Sequence, residues 1–312
     1  MRIIFMGSPR LSVPSLEQLL INKYEVMAVY TQPDRPAGRG RGLTASPVKE
    51  AALRWGLKVV QPDSLRSAEA LKQLEDLKPD VIVVCAFGQI LPQELLDIPP
   101  YQCVNVHFSL LPRHRGASPV AAAILAGDEF SGVSIQLVRK KIDTGPILAT
   151  AAVPISQIDN TGTLAEKLSL VGAHLLQEAI IGWRRGEITP RPQDEAGASY
   201  FGQVKKEEGE IDWKKPAVEI WRRVRAYYPW PGCFTYWRGK QIKINEATVL
   251  PGEGTSEPGR VVALPGEGAG LGITTGDGVL GVLRIQYEGK RDMTDAEFRR
   301  GQRDFIGAVL PS

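Results

Sequence analysis

Val81-Ile82-Val83-Val84-Cys85-Ala86, followed by Phe87-Gly88-Gln89-Ile90-Leu91-Pro92, decides the fold. An unbroken apolar run of this length, closed by a glycine turn, reads as a parallel strand buried on both faces. Working outward, Arg2 to Met6 is a second apolar strand, Val13 to Leu20 has helical spacing, and Glu25 to Thr31 is a third strand. That β-α-β order belongs to a parallel sheet wound by right-handed crossovers. Ser46-Pro47 caps a helix from Val48 to Trp55, Leu57 to Val60 adds a strand, and Ala68 to Leu77 a further helix. On the other side, Gln102 to Val106 is the neighbouring strand. Ligands of open parallel sheets lie beyond the carboxyl ends of the strands, which here means the Phe87 to Pro92 turn and the end of the Gln102 strand.

At that end stands Cys103-Val104-Asn105-Val106-His107-Phe108-Ser109-Leu110-Leu111-Pro112. Residues two apart on a strand share a face, so Asn105 and His107 stand side by side. An amide with fixed donors beside an imidazole that both gives and takes a proton suits a carbonyl that becomes an oxyanion. Asp143, in the Ile142-Asp143-Thr144-Gly145 turn, can orient the imidazole if the fold brings it close. Residue types alone leave a second reading open, a strand end with a hydrogen-bonded Asn and a core His.

Composition narrows the classes. The 312 residues are 43% hydrophobic and 23% charged, which fits a globular chain of two domains. No apolar run approaches the roughly 20 residues of a membrane span. Met1 to Gly7 is too short for a signal peptide, so a cytoplasmic protein is expected. Cys85, Cys103 and Cys233 have no C-x-x-C spacing and read as buried thiols. His107, His114 and His174 form no metal-binding pair, so no metal site is expected. Gly7-Ser8-Pro9-Arg10 lacks the later glycines of a dinucleotide fingerprint. The formal charge of +3 is too small to argue for nucleic acid by itself.

Further along, Gly132 to Val138 alternates polar and apolar residues, as a strand with one solvated face would, and Ile147 to Val153 returns as a strand. A long amphipathic helix runs from Thr161 or Thr163 to Trp183, with Leu164, Leu168, Val171, Leu175 and Ile180 on its apolar side and His174 in a structural place. Gln32 to Leu43 is so interrupted by Pro and Gly that no regular structure is expected there, and its Arg35, Arg39 and Arg41 sit on a mobile backbone suited to gripping phosphates. Residues 1–188 form the first domain and 189–206 an interdomain linker. Residues 207–312 follow a different pattern, with a helix from Ala217 to Tyr227 and then short strands at Gly232 to Trp237, Gln241 to Val249, Gly259 to Ala263, Leu271 to Thr274 and Val279 to Tyr287. These predict a small β-barrel. Lys205, Lys206, Arg222, Arg223, Arg225 and Lys243, interleaved with Trp221, Tyr227, Tyr228, Trp230 and Trp237, are a candidate backbone-binding surface with stacking platforms.

Asn105-Val106-His107, Ser109-Leu110-Leu111-Pro112, Arg115-Gly116 and Asp143-Thr144-Gly145 together resemble the signature of the folate-dependent formyltransferases. Three more stretches narrow the likeness to the methionyl-tRNA formyltransferase family: Thr31 to Gly40, Lys205-Lys206-Glu207-Glu208 through Ile211-Asp212-Trp213, and Arg225-Ala226-Tyr227-Tyr228-Pro229-Trp230-Pro231. The resemblance covers nearly the whole chain. It implies an α/β fold with a Rossmann-like, mostly parallel sheet in the N-terminal domain and a C-terminal OB-like β-barrel. It implies formyl transfer from 10-formyltetrahydrofolate to the methionine of initiator methionyl-tRNA, by a monomer without metal. Asn105, His107 and Asp143 then fall at the catalytic positions. Ser109, Leu110, Leu111 and Pro112 fall at the folate-contacting turn, with Phe87, Gly88, Ile90 and Leu91 lining the pterin pocket. Arg35, Arg39, Arg41, Lys205 and Lys206 fall at tRNA-contacting positions. Phe108 and His114 depart from the family pattern, where a small residue and an aromatic such as Trp are common.

Overall fold

The computed structural model describes residues 1–37, 42–251, 257–265 and 269–311. Arg39 and Arg41, two of the expected tRNA contacts, lie outside the described residues. The chain divides into two compact units. The first takes in Met1–Pro119, Phe130–Pro154 and Ala165–Phe201, and the second Val120–Glu129, Ile155–Leu164 and Gly202–Ser312.

Among the described residues, the first unit is built on seven strands: β1 (Arg2–Gly7), β2 (Glu25–Tyr30), β3 (Val59–Val60), β4 (Val81–Cys85), β5 (Cys103–His107), β6 (Phe130–Leu137) and β7 (Ile147–Pro154). Their spatial order is β7-β6-β5-β4-β1-β2-β3. Pairing is parallel from β3 through β5 and antiparallel at β5–β6 and β6–β7. All five residues of β4 are buried, as its continuous apolar sequence requires. Helices over Val13–Ile21, Pro47–Arg54 and Ala68–Asp76 supply the crossovers. Ser46 caps the second by accepting from the Lys49 N–H, and Pro47 at the first helical position needs no N–H partner there. The long helix spans Thr161–Arg184 and buries Leu164, Leu168, Leu176 and Ile180, while His174 is exposed on it. Gly172 keeps that helix close to β5 and β6, since a Cβ there would already stand 3.2 Å from Val106 and 3.3 Å from Val133.

Two local expectations are corrected. The segment taken as irregular forms a short antiparallel ladder, Arg35–Ala37 against Gly42–Thr44, because Pro36 needs no donor on an edge strand. Strand β6 has no solvated face: Ser134 and Gln136 are 0% and 2% exposed. Ser134 is buried against the turn that follows β5 and Gln136 against the Asp143 turn between β6 and β7, where both find hydrogen-bond partners instead of water. Of the stretch 189–206, residues up to Phe201 belong to the first unit. Arg191 pairs with Ile147, and Tyr200–Phe201 form a parallel ladder with Arg115–Gly116.

In the second unit the strands β8 (Cys233–Trp237), β9 (Lys240–Leu250), β10 (Val261–Ala263), β11 (Leu271–Thr274) and β12 (Val279–Tyr287) follow the sequence expectation closely, and a short strand β13 (Asp292–Thr294) was not expected. The sheet order is β8-β9-β12-β11-β10, with β13 also beside β12, and every ladder is antiparallel. Its edges β8 and β10 share no ladder among the described residues, so the barrel is open on one side. Ile242, Ile244, Ile273, Leu280, Val282 and Ile285 form its apolar interior. Trp237, Phe298 and Phe305 close one end with edge-to-face ring pairs at 4.9 and 5.0 Å.

Candidate active site at the carboxyl rim of the sheet

Strand β5 pairs with β6 in a register that sets Asn105 opposite Gln136 and His107 opposite Ser134. Four polar side chains therefore share one face of two adjacent strands. Asp143 reaches the same place from the turn between β6 and β7. Its Oδ1 stands 3.5 Å from His107 Nδ1 and 3.5 Å from Asn105 Nδ2, so the predicted trio is assembled.

His107 is 5% exposed, and its Nε2 lies 3.0 Å from the carbonyl oxygen of His114. A carbonyl oxygen only accepts, so Nε2 carries a hydrogen and Nδ1 is the nitrogen turned to Asp143. The Asp143 carboxylate is held firmly from other directions. Gln136 Nε2 donates to Oδ1 at 2.9 Å and the Gly116 N–H donates to Oδ2 at 2.8 Å. Asp143 has φ +53°, in the left-handed region that few non-glycine residues occupy. Two residues on, a Cβ on Gly145 would collide with the Leu137 carbonyl, so only glycine fits there. Asn105 is the least committed of the three. Among the described residues its amide has one partner, at the 3.5 Å limit of a hydrogen bond.

The Ser109 to Pro112 turn is fixed by Ser134, whose hydroxyl donates to the Ser109 carbonyl at 2.8 Å and accepts from the Leu111 N–H at 3.0 Å. Ser109 itself is buried and donates to the Arg113 carbonyl at 2.7 Å, so its hydroxyl is engaged with the backbone rather than with His107. Leu111 is buried, Leu110 and Pro112 are half-buried, and the Leu111–Pro112 peptide is cis. The second predicted folate element divides in two. Phe87 and Leu91 are buried in one apolar cluster with Tyr30, Leu65 and Val84, whereas Gly88 is exposed and Ile90 is 59% exposed. Gln32 Nε2 and Ser8 Oγ both donate to the Phe87 carbonyl, tying this turn to the ends of β1 and β2.

Sequence reasoning gave no role to four residues around Asp143: Gln136, Gln193, and Arg115 and Gly116, the last two present only as part of the motif that carries the resemblance. Arg115 is fully buried. It donates through Nε and Nη2 to Gln193 Oε1, at 3.0 and 2.8 Å, and through both Nη atoms to Glu195, at 3.1 and 2.8 Å. The Glu195 hydrogen bond raises the Arg115 pKa further, with Tyr200 adding to it, and the same contact holds the Glu195 carboxyl below its ordinary value. The polar alternation of Ser134 and Gln136 and the Arg115-Gly116 motif were the sequence signals available for this group.

Arg35 is exposed and donates to Gln32 Oε1 in the first unit, while Lys205 and Lys206 are exposed in the second. Much of the expected aromatic and basic surface is occupied internally. Tyr227 and Trp237 are buried, Arg225 donates to the Asp159 and Ser156 carbonyls, and Arg223 donates to the Glu208 carbonyl. Trp230 and Tyr228 remain exposed. Among the described residues no cluster of three His, Cys, Asp or Glu side chains has metal-binding geometry, and no helix is long and apolar enough to cross a membrane.

A mostly parallel sheet in the first unit and an open antiparallel barrel in the second are the fold of a formyl transferase. The formyl transferase model matches residues 1–180, and the formyl transferase C-terminal domain model matches residues 203–303. A methionyl-tRNA formyltransferase of Dehalococcoides mccartyi is 48% identical over 99% of this chain and 98% of its own length, and one of a Roseiflexus species is 46% identical over 97% and 93%. The chain belongs to the methionyl-tRNA formyltransferase family. Among solved structures, HypX from Aquifex aeolicus in complex with tetrahydrofolic acid shares the fold at a TM-score of 0.65 and 20% identity, over 99% of this chain and 48% of its own. An N-formyltransferase from Helicobacter canadensis, in complex with folinic acid and dTDP-3-aminofucose, does so at 0.67 and 22%, over 91% and 98%.

Proposed function

We propose that this protein moves a formyl group from 10-formyltetrahydrofolate to the α-amino group of methionine on initiator methionyl-tRNA, as a cytoplasmic monomer. The observation that carries the reading is the convergence of Asn105, His107 and Asp143, in a chain 48% identical to a protein of that name over almost its full length.

In the reaction the amine nitrogen bonds to the formyl carbon, and the bond from that carbon to the folate nitrogen then breaks. The tetrahedral intermediate carries an oxyanion, and Asn105, with its amide largely uncommitted, donates to it. Asp143 accepts the proton that the amine loses and relays it to His107 Nδ1, the ring nitrogen not tied to the His114 carbonyl. From there a proton reaches the departing folate nitrogen through an ordered water. The tie from Nε2 to the His114 carbonyl fixes the imidazole so that Nδ1 meets Asp143. No covalent enzyme intermediate is required. The turn of Ser109 to Pro112 and the rim residues Gly88 and Ile90 form the folate side of the site, with Phe87 and Leu91 supporting that rim from the core. Residues 1–188 with the strand at 200–201 carry the chemistry. Arg35, Arg39, Arg41, Lys205, Lys206 and the domain at 207–312 hold the tRNA.

The test is incubation with labelled 10-formyltetrahydrofolate and charged initiator tRNA. Label recovered on the aminoacylated RNA, and absent when an amino sugar nucleotide replaces it, supports the reading. Transfer to the sugar nucleotide, or release of free formate without transfer, overturns it.

A further inference from the structure

Gln193 lies fifty residues beyond Asp143 in the sequence, yet its side chain is bonded directly to the turn that carries Asp143. Its Nε2 donates to the Asp143 carbonyl at 2.9 Å and to the Gly145 carbonyl at 2.7 Å, and lies 3.3 Å from Gln136 Oε1. Its Oε1 faces the buried Arg115 guanidinium, at 2.8 Å from Nη2 and 3.0 Å from Nε. A guanidinium has donors only, so Arg115 decides which way round the Gln193 amide sits. The amide then presents its N–H groups to the turn, and the Gln136 amide follows suit: with its oxygen turned to Gln193, its nitrogen points to Asp143 Oδ1. One buried cation thereby orients two amides in series, and the second donates to the carboxylate oxygen that meets His107 and Asn105.

We propose that Gln193, oriented by Arg115, is a positioning residue for formyl transfer. It holds the left-handed backbone of Asp143 and keeps the Gln136 donor pointed at the carboxylate. Glu195 and Tyr200 complete the arrangement by neutralising and walling in the guanidinium: Arg115 Nη1 donates to the Tyr200 hydroxyl at 2.7 Å, and the guanidinium carbon stands 5.4 Å from the Tyr200 ring centre. The Asp143 turn has φ +53°; Thr144 ties its first half by donating to the Lys141 carbonyl at 2.9 Å, and the Asp143 and Gly145 carbonyls are both aimed at the Gln193 amide. The inference rests on the proposed transfer reaction.

Gln193→Glu tests it, because the carboxylate retains the Arg115 contact but has no N–H for the two carbonyls or for Gln136. Folate-binding sites are counted by titration with tetrahydrofolate, and single-turnover formylation of charged initiator tRNA is then expressed per site. The expected result is full binding stoichiometry, folate Kd and tRNA KM within about threefold of native, and a transfer rate lowered by roughly 10 to 100-fold, the span of the Gln136 hydrogen bond to the charged Asp143 carboxylate that is misdirected once Gln193 no longer holds Gln136. Gln193→Ala, which removes the contacts without placing a second carboxylate beside the turn, is expected to lose rate in the same way. The double variant with Gln136→Leu is expected to be no slower than the slower single, since both act through one carboxylate. Transfer within threefold of native in both Gln193 variants overturns the proposal. So does loss of folate-binding sites in step with the rate, which a purely structural residue would give, or additive losses in the double variant. Failure of the native protein to formylate charged tRNA overturns the transfer reading itself, and with it this inference, whereas native activity beside near-native variants overturns the inference alone.

Discussion

The His107 Nε2–H is committed to the carbonyl oxygen of His114, 3.0 Å away and seven residues later in the chain. His114 has φ +55°, and this backbone conformation turns its carbonyl inward. Whatever side chain stands at position 114, the group His107 uses is main chain. The departure from the family pattern at this position therefore leaves the orientation of the imidazole intact.

Asn105→Ala removes the amide assigned to the oxyanion. Loss of one such donor lowers turnover on the order of 100 to 1,000-fold. Single-turnover formylation with saturating substrates is expected to fall in that range, and a near-native rate would sink the assignment.

Gln136→Leu deletes the 2.9 Å donor to Asp143 and leaves a carboxylate oxygen short of a partner beside β6. A hydrogen bond to a charged group is worth about 1.5 to 3 kcal/mol, so kcat is expected to drop by about 10 to 100-fold. A steady-state comparison with native protein decides it, and an unchanged kcat rejects the role.

Gly145→Ala places a Cβ against the Leu137 carbonyl. The turn must shift, at about 1 to 3 kcal/mol of stability, and Asp143 shifts with it. Thermal unfolding is expected at a lower temperature than native, with transfer per folded molecule also reduced at a temperature where the variant is fully folded. A variant that melts and turns over like native would contradict the geometry.

Glu195 has a folded-state pKa below its ordinary value because of the Arg115 hydrogen bond. A depressed carboxylate pKa gives stability that is present above the unfolded value of about 4.3 and lost as pH falls through the folded value. Glu195→Gln is therefore expected to melt below native at pH 7, with the difference shrinking as the pH is taken below about 4. A difference that persists unchanged into strong acid would show that the charge is not its source.

Burial pushes the Cys85 thiol up to about 11 and those of Cys103 and Cys233 up to about 12. Thiolate is the reactive form, so none of the three should be labelled quickly by an aromatic disulfide reagent at pH 8 in the folded protein, and all should react once it is unfolded. Rapid labelling of the native state would mean that the core opens far more readily than its packing implies.

What was legible in the sequence followed from local regularity. The buried run at β4, the Ser46-Pro47 cap and the strands Leu271–Thr274 and Val279–Tyr287 match their expected limits because apolar period and turn residues determine them. Asn105 and His107 were legible because they share a strand. Gln136 was misassigned because polar alternation looks the same whether the polar face meets water or a buried carboxylate. Gln193 left no trace at all, since a glutamine between prolines and acids has no period, and only the fold brings it to Asp143. The short ladder at Arg35–Ala37 was hidden by its proline, which an edge strand tolerates.

The pairing of Tyr200–Phe201 with Arg115–Gly116 bears on how this enzyme can be taken apart. A fragment ending at residue 188 would retain Asn105, His107 and Asp143 with their direct partners Gln136, Gly116 and His114, while lacking Gln193, Glu195 and Tyr200, the side chains that brace those partners from outside. During synthesis the same dependence sets an order of events: the catalytic turn is encoded early, but its final clasp leaves the ribosome only after another fifty to sixty residues. A fragment that is to keep this bracing therefore has to run past Phe201.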